Sequence, residues 1–343
     1  LGIINAKLNL IAYSEISPIY RESHNLNFPN CDLIGNGDIT KTDDSEFSKY
    51  NGNCDLIFAG FPCQGFSNAG KKAKDDPRNT LFKEFLRATK LIKPTYIIGE
   101  NVKGLLTKQT ADNKNYIDVI KECFEELGYT IYYKVLKGHD YNIPQKRERL
   151  IIVGIKNMNQ IFNFPLPIEN TNLNLINIVK FNMTGALKMD PEDFDMASIP
   201  DECMLTDVDN DETGCICSEK CSCDYKPHPN LKLLAKSKDY VYKNKAYPCR
   251  LNFGKRIPVG GEIVDIRNPA KTIICTYSRQ PRFFVPLKNK NGYFLRCLLP
   301  DELKQIQGFP SDFKVSGNIN QQITQIGNAV PPPLITTIIN QLI

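Results

Sequence analysis

The sequence predicts an α/β fold: a doubly wound, mostly parallel sheet carrying a smaller inserted lobe. Three observations support this. Apolar runs of strand length alternate with stretches of helical periodicity from the first residues to about Lys156. Several of those strand-like runs end on a chemically capable residue, as expected where an open α/β sheet gathers its ligands. The alternation then stops and resumes only near Leu303, so an insertion interrupts the sheet-forming part.

The elements follow in order. Leu1–Leu10 reads as the end of a helix. Leu10–Glu15 reads as a strand with an acid at its carboxyl end, and Gly37-Asp-Ile-Thr40 sets a second acid and an apolar residue after a turn. Alone, Glu15 would be a solvated loop acid; an acid at this place in a nucleoside-binding fold can accept hydrogen bonds from ribose hydroxyls. Asp55–Ala59 is the next strand, running into Phe61-Pro-Cys63. A thiol at a strand end can serve as a nucleophile once partly ionised. Ser67–Lys74 is small and basic, a surface loop. Arg78–Ile92 places apolar residues 81, 82, 85, 86 and 88 on one helical face, and Pro94 ends it. Thr95–Val102 is a strand containing Glu100 and Asn101. Tyr116–Leu127 is an amphipathic helix closed by Gly128. Tyr129–Leu136 and Leu150–Ile155 are strands flanking Gln145-Lys-Arg-Glu-Arg149.

Residues 157–290 show no regular alternation and are expected to form a mostly irregular lobe. Positions 190–212 hold ten acids and no Lys or Arg; positions 225–296 hold sixteen Lys or Arg against three acids. The basic stretch is a candidate nucleic-acid surface. Cys215, Cys217, Cys221 and Cys223 put four thiols within nine residues. They could hold zinc with Cys203, His228 or Cys249, but Cys-x-Cys is tighter than the usual ligand spacing. The stretch is therefore read as a reduced, Cys-rich loop, and no metal is expected.

With 343 residues, 41% of them hydrophobic, the chain has core enough without disulfides, so its twelve cysteines point to a reducing, intracellular compartment. No apolar run is long enough to span a membrane, and no leader is evident at the start. The net charge of +5 is modest, so the distribution of charge matters more than its sum.

Cys63, Glu100 and the Arg147/Arg149 pair suit attack on an aromatic ring that resists nucleophiles. A protonated carboxyl bonded to a ring nitrogen makes the ring electrophilic, and an arginine holds a ring carbonyl or a nearby phosphate. Five stretches in one order then resemble the C5-cytosine DNA methyltransferase family: Phe61-Pro-Cys-Gln-Gly-Phe-Ser67, Glu100-Asn-Val102, Gln145-Lys-Arg-Glu-Arg149, Gln307-Gly-Phe-Pro310 and Gln325-Ile-Gly-Asn-Ala-Val330. The resemblance implies a Rossmann-like methyltransferase fold using S-adenosylmethionine. It implies a catalytic domain over 1–158, a target-recognition region over 159–290 and a return to the catalytic domain over 291–343.

It also implies roles. Cys63 would attack C6 of a cytosine flipped out of the duplex. Glu100 would bind N3 and the exocyclic amine, Asn101 would brace the nucleophile loop, and Arg147 and Arg149 would hold that loop and the base. Gln64, Ser67 and Gln145 would support it. Glu15 would take the donor's ribose, Asp38 and Ile39 its adenine, Pro62 and Leu81 would pack on the adenine, and Asn328 and Val330 would contact the methionine part. Leu81 fits a plain helix face about equally well. The implied partner is double-stranded DNA, met by a monomer; a restriction partner is not indicated either way. Methylation of tRNA, or nucleic-acid binding without transfer, are alternatives, and the Gln-Gly-Phe-Ser form after the cysteine favours DNA. The family's Phe-x-Gly-x-Gly turn does not precede Leu1. The polypeptide as written is therefore expected to bind the donor weakly or not at all, and to be aggregation-prone.

Overall fold

The computed structural model describes residues 1–61, 81–110, 113–156, 160–169, 173–207, 226–236 and 238–343. The chain divides into two compact units. One comprises Leu1–Thr171, Phe313–Ser316 and Val330–Ile343; the other comprises Asn172–Asp312 and Gly317–Ala329.

The first unit is built on a four-stranded sheet. Its strands are β3 (Leu56–Gly60), β4 (Tyr96–Asn101), β5 (Thr130–Lys137) and β7 (Glu148–Ile155), in the order β3-β4-β7-β5. β3 and β4 are parallel, while β7 runs antiparallel to both β4 and β5. Three strands therefore share one direction and β7 alone opposes it. The reversal comes from the short connection through the two-residue strand β6 (Gln145–Lys146), which leaves no room for a crossover helix. Shorter strands β1 (Ala12–Tyr13) and β2 (Asp32–Leu33) pair in parallel, and short helices α1 (Gly2–Asn5) and α3 (Asp44–Ser48) and the longer α2 (Pro18–Asn27) belong to the same unit.

The apolar runs of β4 and β7 are continuous because both faces of the sheet are covered. Ile97, Leu150 and Ile152 pack with Phe82, Phe85, Ile117, Ile120 and Phe124 of helices α4 (Phe82–Ile92) and α5 (Tyr116–Glu125). Ile98, Ile151, Val153 and Ile155 pack on the opposite face with Leu334, Ile335, Ile338 and Ile339. Those belong to the C-terminal helix, labelled α9 (Pro332–Leu342) in chain order, which returns beside the first residues as expected. Thr336 donates to the Gly2 carbonyl at 3.1 Å.

Most of the described residues of 160–290 are irregular, as expected, yet the second unit also carries regular elements. It contains helix α6 (Pro229–Ala235) and a six-stranded sheet of β8 (Leu187–Lys188), β9 (Leu205–Thr206), β12 (Leu251–Phe253), β13 (Gly261–Ile263), β15 (Phe283–Asn289) and β16 (Gly292–Cys297). A separate hairpin joins β10 (Lys238–Tyr242) and β11 (Lys245–Cys249), and Ala270–Lys271 (β14) is a further short strand. Four of the six strands are only two or three residues long, so no run of alternating residues announces them. The core of this sheet holds an ion pair: Arg296, fully buried, meets both oxygens of Glu302 at 2.6 and 2.8 Å, and Glu302 also accepts from Leu299 N. Helices α7 (Pro300–Ile306) and α8 (Ile319–Asn328) follow. Reciprocal bonds between Asn318 and Gln321 cap α8. No described helix is long and apolar enough to cross a membrane.

Candidate active site

Parallel pairing brings the carboxyl ends of β3 and β4 together, with Gly60 opposite Glu100. One Glu100 oxygen, Oε1, lies 2.7 Å from Arg149 Nε. The other, Oε2, lies 3.6 Å from the point that a β-carbon on Gly60 would occupy, and Val330 Cγ2 is 4.0 Å from that point. The missing side chain at Gly60 thus leaves room against the carboxylate. Both members of the ion pair are largely buried, at 12% and 14% side-chain exposure. Burial pushes the Glu100 carboxyl above the usual carboxylate range, and the charges of Arg149 and Arg147 pull against that rise.

Asn101, the last residue of β4, is buried. Its Oδ1 accepts from Val102 N at 2.9 Å, and its Nδ2 donates to the Phe61 carbonyl at 3.4 Å. The side chain thereby ties the end of β4 to the residue that leads into Pro62 and Cys63. Arg147 and Gln145 are buried beside the turn before β7, where Arg147 N donates to Gln145 O and Gly138 N donates to Arg147 O. Arg149 also donates to the Glu148 carbonyl.

A second group of expected residues lies at the ends of β1 and β2. Glu15 Oε1 accepts from Ser17 N at 2.7 Å, just before α2. Asp38 Oδ1 accepts from the Thr40 hydroxyl at 2.7 Å and from Thr40 N at 3.1 Å. The Thr40 hydroxyl is the main reason that the Asp38 carboxyl sits below the usual range. Ser14 Oγ donates to the Gly37 carbonyl at 3.1 Å and joins the two turns. Ile39 packs against the cluster of Ile34, Phe47, Ala88 and Ile92. Arg87 of α4 donates to the Ile39 and Thr42 carbonyls at 2.7 and 2.9 Å and pairs with Asp44 and Glu84.

Leu81 is half-buried immediately before α4. Asn328 ends α8 in the second unit, and the Ala329 carbonyl after it accepts from Gln307 Nε2 at 2.5 Å. Pro62, Cys63, Gln64 and Ser67 lie outside the described residues, as do Cys215, Cys217, Cys221 and Cys223. The further zinc ligands considered from sequence have local partners. Cys203 meets Asp265, Cys249 meets the Leu251 carbonyl, and His228 Nδ1 accepts from Asn230 N while Nε2 faces the Ser278 carbonyl. Among the described residues, no three His, Cys, Asp or Glu side chains gather as a metal site.

Sequence reasoning missed Gly60, Ser14 and Arg87. The two-strand register that opposes Gly60 to Glu100 could have exposed the first. Ser14 acts on a backbone carbonyl, which leaves no trace in a residue pattern, and Arg87 does so beside its ion pairs with Asp44 and Glu84.

A family profile described as C-5 cytosine-specific DNA methylase matches residues 1–343. The chain belongs to that family. The methylase is 30% identical over 342 residues to the Type II methyltransferase M1.HphI of Haemophilus parahaemolyticus, covering 97% of this chain and 80% of that protein. It is 41% identical over 159 residues to M.Eco47II of Escherichia coli, covering 46% of this chain and 36% of that one. Among solved structures, S. pombe Dnmt2 methyltransferase superposes with a TM-score of 0.62 at 15% identity, over 99% of this chain and 93% of that one. The Entamoeba histolytica methyltransferase EhMeth gives 0.61 at 16%, over 99% and 94%. At those identities the likeness is one of fold. The methylase is thus an enzyme that methylates cytosine in DNA at C5.

Proposed function

We propose that the methylase works through Cys63, with S-adenosylmethionine as methyl donor and a flipped cytosine as acceptor. The observation that supports this most is the Glu100–Arg149 pair beside Gly60, three residues before Cys63. The thiolate of Cys63 adds to C6 of the ring. Glu100, whose burial favours its protonated form, bonds N3 and the exocyclic amine, so the ring accepts the electron pair. C5 becomes nucleophilic and takes a methyl group; loss of the C5 proton then lets Cys63 leave. Arg149 orients Glu100, Asn101 braces the approach to Cys63, and Arg147, Gln145, Gln64 and Ser67 support the loop. The target base must leave the stack, because C6 is covered within the duplex.

Bound S-adenosylmethionine supplies the methyl group. Two acids and one apolar residue at the ends of β1 and β2 suit its nucleoside part: Glu15 for the ribose hydroxyls, Asp38 and Ile39 for the adenine. Pro62, Leu81, Asn328 and Val330 complete the donor site in this reading. An intracellular, reducing compartment keeps Cys63 as a thiol.

Target recognition is assigned to residues 159–290. Part of the positive charge there is used internally, since Arg267 pairs with Asp265 and Glu202, and Lys271 with Glu262. Lys243 and Lys245 at the turn of the β10–β11 hairpin are exposed, on a two-stranded ribbon of the kind that a major groove admits. The test is transfer of labelled methyl groups to duplex DNA and, separately, to a tRNA transcript. Wild-type protein should label DNA, and Cys63→Ser should lose the activity while keeping duplex binding. Labelling by Cys63→Ser, or labelling of tRNA alone, would overturn the reading.

A further inference from the structure

We infer that Arg21 is a positioning residue for donor binding: it sets the spacing of Glu15 and Asp38 without touching the donor. The inference rests on the donor reading above. β1 and β2 are joined by only two register pairs, Ala12 with Asp32 and Tyr13 with Leu33, followed by the bond from Ile34 N to Tyr13 O. The turns that carry the two acids lie beyond that ladder. Arg21 rises from α2 and reaches both. Its Nη1 lies 3.0 Å from the Glu15 carbonyl and 3.1 Å from the Ile16 carbonyl, in the turn after β1. It lies 3.3 Å from the Asn36 carbonyl, in the turn after β2.

The turns are also in backbone contact. A β-carbon on Gly37 would stand 2.5 Å from the Glu15 carbonyl oxygen and 2.6 Å from Arg21 Nη1, and Gly37 has φ +89°. Glycine is therefore required there on two counts, close approach and a left-handed conformation. One cation thus gathers three carbonyl oxygens at the place where the chain packs main chain against main chain. A nucleoside gripped by two acids is recognised only if those acids keep a fixed separation, and a loop left to fluctuate must be ordered at the expense of binding energy. All three contacts come from the one nitrogen, Nη1, so a lysine ammonium can replace part of them, on a shorter side chain.

The test uses the full-length protein, with S-adenosylmethionine and S-adenosylhomocysteine as probes. Arg21→Gln should weaken both by about tenfold, the equivalent of one or two net hydrogen bonds. It should raise KM for the donor while leaving kcat at saturating donor and duplex affinity near wild type, and Arg21→Lys should recover part of the loss. In a Glu15→Ala background, Arg21→Gln should cost much less than in wild type, since the two residues act on one contact. Unchanged donor affinity in Arg21→Gln, or full additivity with Glu15→Ala, overturns the inference. A Glu15→Ala variant with wild-type affinity overturns the donor reading itself.

Discussion

Replacing Arg149 by Met isolates the electrostatics of the site. The substitution keeps much of the side-chain volume and removes the cation 2.7 Å from Glu100. Breaking a fully buried pair by deleting one partner costs about 3–5 kcal/mol. Two features reduce that figure here: the charge of Arg147 still acts on Glu100, and the carboxyl can escape by taking up a proton. A loss of roughly 1–3 kcal/mol at pH 9 is expected, and less at pH 6. The sign follows from linkage. Glu100 has its folded-state pKa raised above the unfolded value, so the folded protein binds more protons between the two. Its contribution to stability is present below the unfolded pKa and is lost as pH rises through the folded one. Without Arg149 the folded value rises further, and the loss extends to higher pH. Urea unfolding at several pH values, followed by far-ultraviolet circular dichroism because the chain lacks tryptophan, measures this. In Arg149→Met/Glu100→Gln the added pH dependence should vanish. A loss in Arg149→Met that is the same at pH 6 and pH 9, or that persists unchanged in the double variant, would refute the reasoning.

Other consequences can be measured separately. Glu100→Gln should keep the fold but lower the methyl-transfer rate by about 10²-fold or more, the usual scale of proton-transfer assistance; a wild-type rate would remove Glu100 from the reaction. Gly327→Ala should destabilise the second unit by roughly 1–3 kcal/mol. Its β-carbon would fall 2.6 Å from Ile274 C and Cys275 N, backbone atoms that cannot rotate aside. An unchanged urea midpoint would contradict that packing. Duplex affinity should fall steeply with salt, and Lys243→Gln/Lys245→Gln should flatten the slope; an identical slope would take the hairpin out of the interface.

The sheet of the first unit was legible because its strands are buried on both faces. Ile97 and Ile98 face opposite cores, as do Ile151 and Ile152, and a run of that kind reads as a strand whichever face is counted. Glu100, Arg147 and Arg149 were legible because their chemistry is distinctive and their spacing matches a family motif. The second sheet was not. β8 and β9 have two residues each, Pro286 lies inside β15, and β15 pairs with β9 from about 80 residues earlier as well as with β13 and its hairpin partner β16. Proline within an apolar run argues against a strand when only the sequence is read. The buried Arg296–Glu302 pair was missed because either charge alone suggests a surface residue. Arg21 was illegible for another reason: its partners are carbonyl oxygens, which every residue has.

The central claim is that Cys63 bonds covalently to the target cytosine, and trapping with 5-fluorocytosine tests it most directly. Fluorine at C5 blocks the final elimination, so the adduct between thiol and C6 accumulates once the methyl group has been transferred. Wild-type protein incubated with donor and a duplex carrying 5-fluorocytosine at the target position should give a complex stable to denaturants, with the modified peptide containing residue 63. Cys63→Ser should give none. An adduct formed by Cys63→Ser, or one mapped to another cysteine, would contradict the account.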